Sequence, residues 1–172
     1  ILKCFDDFND YKKIIVFGNL PYNISTKILI SFIKLENLNN MFKRFVFVFQ
    51  KEVADRIVAE VNTKNYGRLS ILTYWKMEVR KIIDIEPEYF YPKPKVWSSL
   101  VVLTPKLKIE SLNKVENLEY ITNIFFNQRR KKIKNPMKKL FKNYENIANN
   151  LKIDLNLRPQ NIPKNKYLEI CK

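Results

Sequence analysis

Blocks of apolar and polar residues change period along the chain, and the changes mark the elements. Lys13 to Gly18 is almost continuously apolar through Ile14, Ile15, Val16 and Phe17, the pattern of a strand with both faces covered by helices. Ser25 or Thr26 is placed to cap the next helix, whose Ile28, Leu29, Phe32, Ile33 and Leu35 form one broad apolar face. Residues 37–40 read as loop. Phe45 to Phe49 is β-branched or aromatic throughout, a second buried strand, and it runs into a helical pattern over 51–59. Strand, helix, strand, helix predicts an α/β fold of the doubly wound type. After a polar loop over 62–67, residues 68–76 read as a helix with Leu69, Leu72 and Trp75 on one face. Residues 79–85 and 98–103 read as strands, joined by a proline-rich loop over 87–94 that carries Tyr89, Phe90 and Tyr91. That connection predicts an antiparallel pair at the sheet edge. Pro105 marks a boundary, beyond which helices are expected over 118–126, 136–142, 147–151 and 166–171, with no internal repeat.

The first strand ends abruptly at Asn19-Leu20-Pro21-Tyr22, and the carboxyl end of a parallel strand is where open α/β sheets place ligands. The exocyclic amine of a nucleobase is a poor nucleophile because its lone pair is delocalised into the ring. The Asn19 side-chain carbonyl and the Leu20 backbone carbonyl can each accept a hydrogen bond from such an amine, orienting it and raising electron density on nitrogen. Pro21 brings no competing N–H and fixes the turn, and Tyr22 offers a stacking face. Chemistry of this kind rests on positioning and electrostatics, without a general base. The same four residues also fit an ordinary Asn-containing turn closing a strand. Phe90 and Tyr91 can close the other side of a base or plug the proline loop. Glu52 and Arg56, four apart on a helix, read as a surface pair.

Charge changes the picture more than composition does. Lys and Arg number 32 against 17 Asp and Glu, leaving +15, a field that favours a polyanion such as nucleic acid. The densest part is Arg129, Arg130, Lys131, Lys132 and Lys134, beside Phe125 and Phe126 and continued by Lys138, Lys139 and Lys142. It reads either as a phosphate-tracking strip or as a solvated helix face. The chain has no histidine, so His-based zinc sites and Ser-His triads are excluded. Cys4 and Cys171 have no metal-ligand spacing, no metal is expected, and a reducing, cytoplasmic setting follows. No apolar run approaches the ~18 residues of a membrane helix. The chain opens at Ile1 on an acidic stretch (Asp6, Asp7, Asp10) leading straight into a strand, so further residues are expected upstream.

The ordered series of motifs resembles the ribosomal RNA adenine dimethyltransferases, and within them the bacterial small-subunit branch. Residues 17–26 (Phe-Gly-Asn-Leu-Pro-Tyr-Asn-Ile-Ser-Thr) carry the signature. It continues through residues 50–56 (Gln-Lys-Glu-Val-Ala-Asp-Arg), 66–70 (Tyr-Gly-Arg-Leu-Ser) and 90–96 (Phe-Tyr-Pro-Lys-Pro-Lys-Val), then 126–131 (Phe-Asn-Gln-Arg-Arg-Lys) and Leu157-Arg158-Pro159. The resemblance implies a Rossmann-like S-adenosylmethionine-dependent methyltransferase sheet, its first strands absent, followed by a small all-helical domain. The division implied is 1–104 for the methyltransferase part and 105–172 for the rRNA-docking part. It implies two methyl groups placed on N6 of each of two adjacent adenosines near the 3′ end of 16S rRNA in the small subunit. Asn19 and the Leu20 carbonyl would hold N6, Tyr22 and Phe90 would sandwich the base, and Asn19 would also lie against the cofactor. Arg129, Arg130, Lys131, Lys132 and Lys134 would bind RNA, and the protein would act as a monomer. In that family the glycine-rich cofactor loop and its acidic partners precede the turn and are not among the 172 residues. The 172 residues alone are therefore expected to transfer little or no methyl. Trp97 stands where the family usually has Asp. Two alternatives stay open: a non-catalytic RNA-binding assembly factor, and the large-subunit branch that confers macrolide resistance, which more often carries Ile in place of Leu20.

Overall fold

The computed structural model describes residues 13–172; Cys4 and the acidic stretch lie outside the described residues. Four strands form one mixed sheet in the order β1 (Ile14–Asn19), β2 (Phe42–Gln50), β4 (Ser98–Pro105), β3 (Met77–Ile85). β1 runs parallel to β2, with the crossover carrying α1 (Ser25–Ile33), and β2–β4 and β4–β3 are antiparallel. The predicted antiparallel edge pair is therefore present. Asn19 pairs with Val48, while Ser98 pairs with both Gln50 and Ile85. The ends of β1, β2 and β3 and the start of β4 thus share one rim of the sheet.

β2 supplies the centre of the core because its period-2 pattern puts Phe45, Phe47 and Phe49 on one face. All three are buried: Phe45 and Phe47 pack on Phe32 of α1, with ring centroids 4.8 and 6.1 Å apart, Phe45 also on Phe42 at 4.9 Å, and Phe49 on Phe47 at 6.0 Å. Val101 and Leu103 of β4 continue that face. Two-sided burial of β1 is not met. Ile14 and Val16 pack on the core, but Ile15 and Phe17 are 44% and 74% exposed, since among the described residues the core lies against one face of this edge strand only.

α3 (Lys51–Ile57) follows β2 directly, and α4 (Arg68–Lys76) matches its sequence-predicted bounds. α4 is the hub, packing against α1, α3, α5 (Val115–Asn127) and α8 (Lys164–Ile170). Even Lys76 is buried in it, and its Nζ donates to the Leu35 carbonyl at 2.7 Å beside the Trp75 ring. Desolvation lowers the Lys76 pKa. Among the described residues no buried side-chain nitrogen or oxygen lacks a partner, as a stable interior requires. α6 (Lys134–Leu140) accommodates Pro136 in its first turn, where no intrahelical N–H is lost, and α7 (Tyr144–Asn150) follows.

Two further expectations are corrected. Residues 37–40, read as loop, enter a single helical turn, α2 (Leu38–Met41), that buries Leu38 beneath β2. Neither Ser25 nor Thr26 caps α1: the N-cap position is Ile24, with no side-chain cap. The Pro21 carbonyl instead accepts the N–H groups of Ile24 and Ser25 at 3.1 and 2.9 Å, and Ser25 Oγ donates back to the Tyr22 carbonyl at 3.2 Å.

Candidate functional site

The turn after β1 is built from both sides. Below it, Gly18 lies so close to its neighbours that a Cβ there would sit 3.1 Å from Leu20 Cδ2 and 3.2 Å from the Phe47 ring. The ring is locked in the aromatic core, so only glycine lets the strand end lie this tightly on β2. Above it, Pro21 redirects the chain and closes onto α1. Asn19 is left exposed at the rim, Leu20 is partly covered, and Tyr22 is half-buried.

Tyr22 is held by a contact that no local pattern announces. Its hydroxyl lies 2.6 Å from Ser98 Oγ, the first residue of β4, 76 positions along the chain. Ser98 is fully buried. The bond fixes the far end of the ring and so the plane a stacked base would meet. The neighbouring Ser99 donates to Asp84 Oδ1 at 2.6 Å. Asp84 also accepts from Lys51 Nζ, and its Oδ1 lies 3.2 Å from Lys81 Nζ, which donates to Asp55 at 2.8 Å. Two lysines and two aspartates thus tie the start of α3 to β3 just behind the rim. Lys51, Asp84 and Lys81 were not singled out from the sequence, because their partners come from different elements.

Phe90 leaves the rim on the loop between β3 and β4, after a 3-10 turn over Pro87–Tyr89, and donates its N–H to the Pro87 carbonyl at 3.2 Å. It is partly buried, whereas Tyr91 is fully exposed. The shared rim brings the Asn19–Tyr22 turn and the two ends of the Phe90 loop, Ile85 and Ser98, to the same side of the sheet.

The basic strip splits in two. Arg129 is spoken for: its Nε donates to Gln160 Oε1 at 3.1 Å, and its guanidinium also donates to the carbonyls of Thr63 and Lys64. Lys132 Nζ donates to Asn156 at 2.9 Å, while Arg130, Lys131 and Lys134 are exposed after α5. Glu52 and Arg56 form the expected i, i+4 pair. Arg56, Arg68 and Arg129 also line one groove against Tyr66, Gly67 and Phe126. Sequence spacing gives no hint of this, since the three arginines sit on separate helices or their ends. Tyr66 underlies the groove, donating to the Ile162 carbonyl at 2.7 Å, and burial raises its pKa. Cys171 is buried, and burial pushes its thiol up to about 12. It is therefore a protonated packing group at neutral pH rather than a nucleophile. Among the described residues no cluster could hold a metal ion, and no helix is long and apolar enough to cross a membrane.

The sheet, the turn at its rim and the trailing helices define a class of protein. The model of the ribosomal RNA adenine dimethylase family matches residues 3–172, and the chain belongs to that family. It is 51% identical over its whole length to the ribosomal RNA small subunit methyltransferase A of Pelagibacter ubique, covering 66% of that protein. It is 45% identical over 158 residues to the protein of the same name from Ehrlichia ruminantium, covering 91% of this chain and 58% of that one. The chain thus spans 66% and 58% of the length of these two curated relatives, less than two-thirds of either. Among solved structures, a dimethyladenosine transferase from Plasmodium falciparum superposes with a TM-score of 0.72 at 26% identity, over 95% of this chain and 67% of that one. The 23S rRNA methyltransferase ErmE shares the fold, with a TM-score of 0.65 at 17% identity, over 97% of this chain and 67% of that one.

Proposed function

We propose that this chain carries the adenine-holding and RNA-docking part of an S-adenosylmethionine-dependent enzyme that dimethylates N6 of two adjacent adenosines near the 3′ end of 16S rRNA. The observation that carries the reading is the Asn19-Leu20-Pro21-Tyr22 turn, standing at the carboxyl rim of a parallel strand with its tyrosine fixed by Ser98. The relatives named for the small subunit favour that substrate over the large-subunit branch. Residues 1–104 form part of the methyltransferase domain, and residues 105–172 form the part that docks on rRNA. The protein works as a monomer in the cytoplasm, where ribosomal subunits mature.

In this reading a flipped adenine enters between Tyr22 and Phe90. Asn19 Oδ1 and the Leu20 carbonyl each accept a hydrogen bond from the N6 amine, so the nitrogen lone pair is turned out of conjugation and becomes available. Pro21 leaves the Leu20 carbonyl without an adjacent competing donor. A base seated between the two rings would displace water from this open rim and so strengthen both hydrogen bonds. The cofactor fits the donor set only in part: the exposed Asn19 amide, at the strand end where such sheets bind ligands, is the group here that would lie against it. When bound, S-adenosylmethionine supplies the electrophilic methyl group. Arg130, Lys131 and Lys134 meet phosphates, and Lys132 joins them from its bond to Asn156. Arg129 contributes by fixing the strip to the 63–64 backbone, with its remaining surface turned to the groove it shares with Arg56 and Arg68.

The test is Asn19→Ala in the complete protein, assayed for methyl transfer to unmethylated small subunits. A loss of about 10²–10³-fold is expected, the size seen when one preorganised polar group is removed from a reacting centre, with subunit binding retained. Undiminished transfer would contradict the reading.

A further inference from the structure

The rim carries a second aromatic set that the proposed chemistry does not use. Tyr89 is 79% exposed, Tyr91 fully so, and Trp97 45%. Several exposed aromatic side chains on one loop point to a contact site. These three share the loop between β3 and β4, which leaves the rim at Ile85 and returns at Ser98. Trp97 directly precedes Ser98, the residue bonded to Tyr22. Its own backbone is anchored, because the Trp97 carbonyl accepts the Lys51 N–H at 2.9 Å. The indole therefore projects from a fixed point beside the turn.

A shallow groove of about 690 Å³ opens next to it, lined by Glu86, Pro87, Glu88, Lys93, Pro94 and Lys95. Its charges balance. Lys93 pairs with Glu88 and holds that carboxyl below the usual range by hydrogen bonding to it, which leaves Glu86 against Lys95. A neutral groove has little to offer a phosphate or a duplex, whose surface is phosphate. The same groove does offer an aromatic face to a base that is already unpaired. The +15 of the whole chain brings the strand close, and the indole then gives it a place to stack.

We propose that Trp97 is a stacking platform for an unpaired base of the RNA strand that flanks the adenine held at the Asn19–Tyr22 turn. The proposal rests on the reading of that turn as the adenine site. It assigns the loop a strand-gripping role.

Intrinsic fluorescence reads the proposal directly, since the chain has two tryptophans. Trp75 is 4% exposed, its indole N–H donating to the Glu110 carbonyl at 2.7 Å, and it is screened from any stacked base. Single-stranded hexa-adenylate is titrated into the parent protein and into Trp97→Phe and Trp97→Ala. The difference between parent and Trp97→Phe isolates the Trp97 signal. The expected result is quenching of that signal on binding, affinity about tenfold weaker in Trp97→Ala and nearer the parent in Trp97→Phe. Duplex RNA of the same length gives no Trp97 quenching. Hexa-adenylate retained on a filter with no change in Trp97 emission overturns the platform, and so does a failure of the parent to bind it. Asn19→Ala separates the two claims. It is expected to keep the quenching while losing methyl transfer. Intact methyl transfer in that variant overturns the reading of the turn, and with it the placing of the platform beside an adenine site.

Discussion

Two sets of aromatic side chains divide the work of this molecule. Phe32, Phe42, Phe45, Phe47 and Phe49 are buried between α1 and the sheet, Phe32–Phe42 and Phe47–Phe49 edge against face and the other pairs tilted. Tyr22, Phe90 and Trp97 stand at the rim, each only partly covered. The first set meets its partners in the fold itself. The second is held by its edges or backbone: Tyr22 by the Ser98 hydroxyl, Phe90 by the Pro87 carbonyl, and Trp97 by the Lys51 N–H. One set stabilises the fold, and the other is the one that the proposed function has receive a base.

The contrast breaks most visibly if a core ring is removed. Phe47→Ala deletes the centre of the buried block and is expected to destabilise by about 3–5 kcal/mol, seen as a large fall in the thermal unfolding midpoint. Alkaline titration sharpens it next. Burial raises the pKa of Tyr66 and of Tyr167, whose hydroxyl donates to the Pro159 carbonyl at 2.7 Å. Unfolded, both would ionise near 10, so the folded state binds more protons above that pH. Their contribution is complete below about pH 10 and is lost as pH rises toward the folded values. Ultraviolet titration should therefore show these phenols ionising only as circular dichroism reports unfolding. Ionisation in the ordinary tyrosine range with structure intact would contradict their placement. The smallest effect on stability is expected from Ser98→Ala. Losing one side-chain hydrogen bond costs about 1 kcal/mol, a shift of about 2–4 °C, whereas the weaker hold on Tyr22 should raise KM for the RNA substrate more than stability suggests. Ser98→Thr, which keeps the hydroxyl, should recover part of that loss.

Much of this was legible along the chain. The period-3.6 pattern placed α4, and the loop between two short strands gave the antiparallel edge. The Asn19–Tyr22 turn was visible because its chemistry lies in consecutive residues. What escaped depended on residues far apart or on small elements. α2 is one turn long with two asparagines in it, too short for periodicity to register. The start of α1 looked capped by Ser25 because serine is a common cap, yet the Pro21 carbonyl had already taken the first donors. The Tyr22–Ser98 bond, the Asp84 network and the groove shared by Arg56, Arg68 and Arg129 each join elements distant in sequence. Two-sided burial of β1 failed because a strand's composition reports what can be buried, and the described neighbours cover one face.

The division between fold and site is tested most directly at Phe90, by measuring thermal unfolding and methyl transfer on the same preparation of Phe90→Ala. The account predicts an unfolding midpoint within a few degrees of the parent and a loss of methyl transfer of about tenfold or more, the stacking contribution of one ring face. A collapse in stability with activity preserved per folded molecule would contradict it, and would return Phe90 to the core as a plug beneath the proline loop.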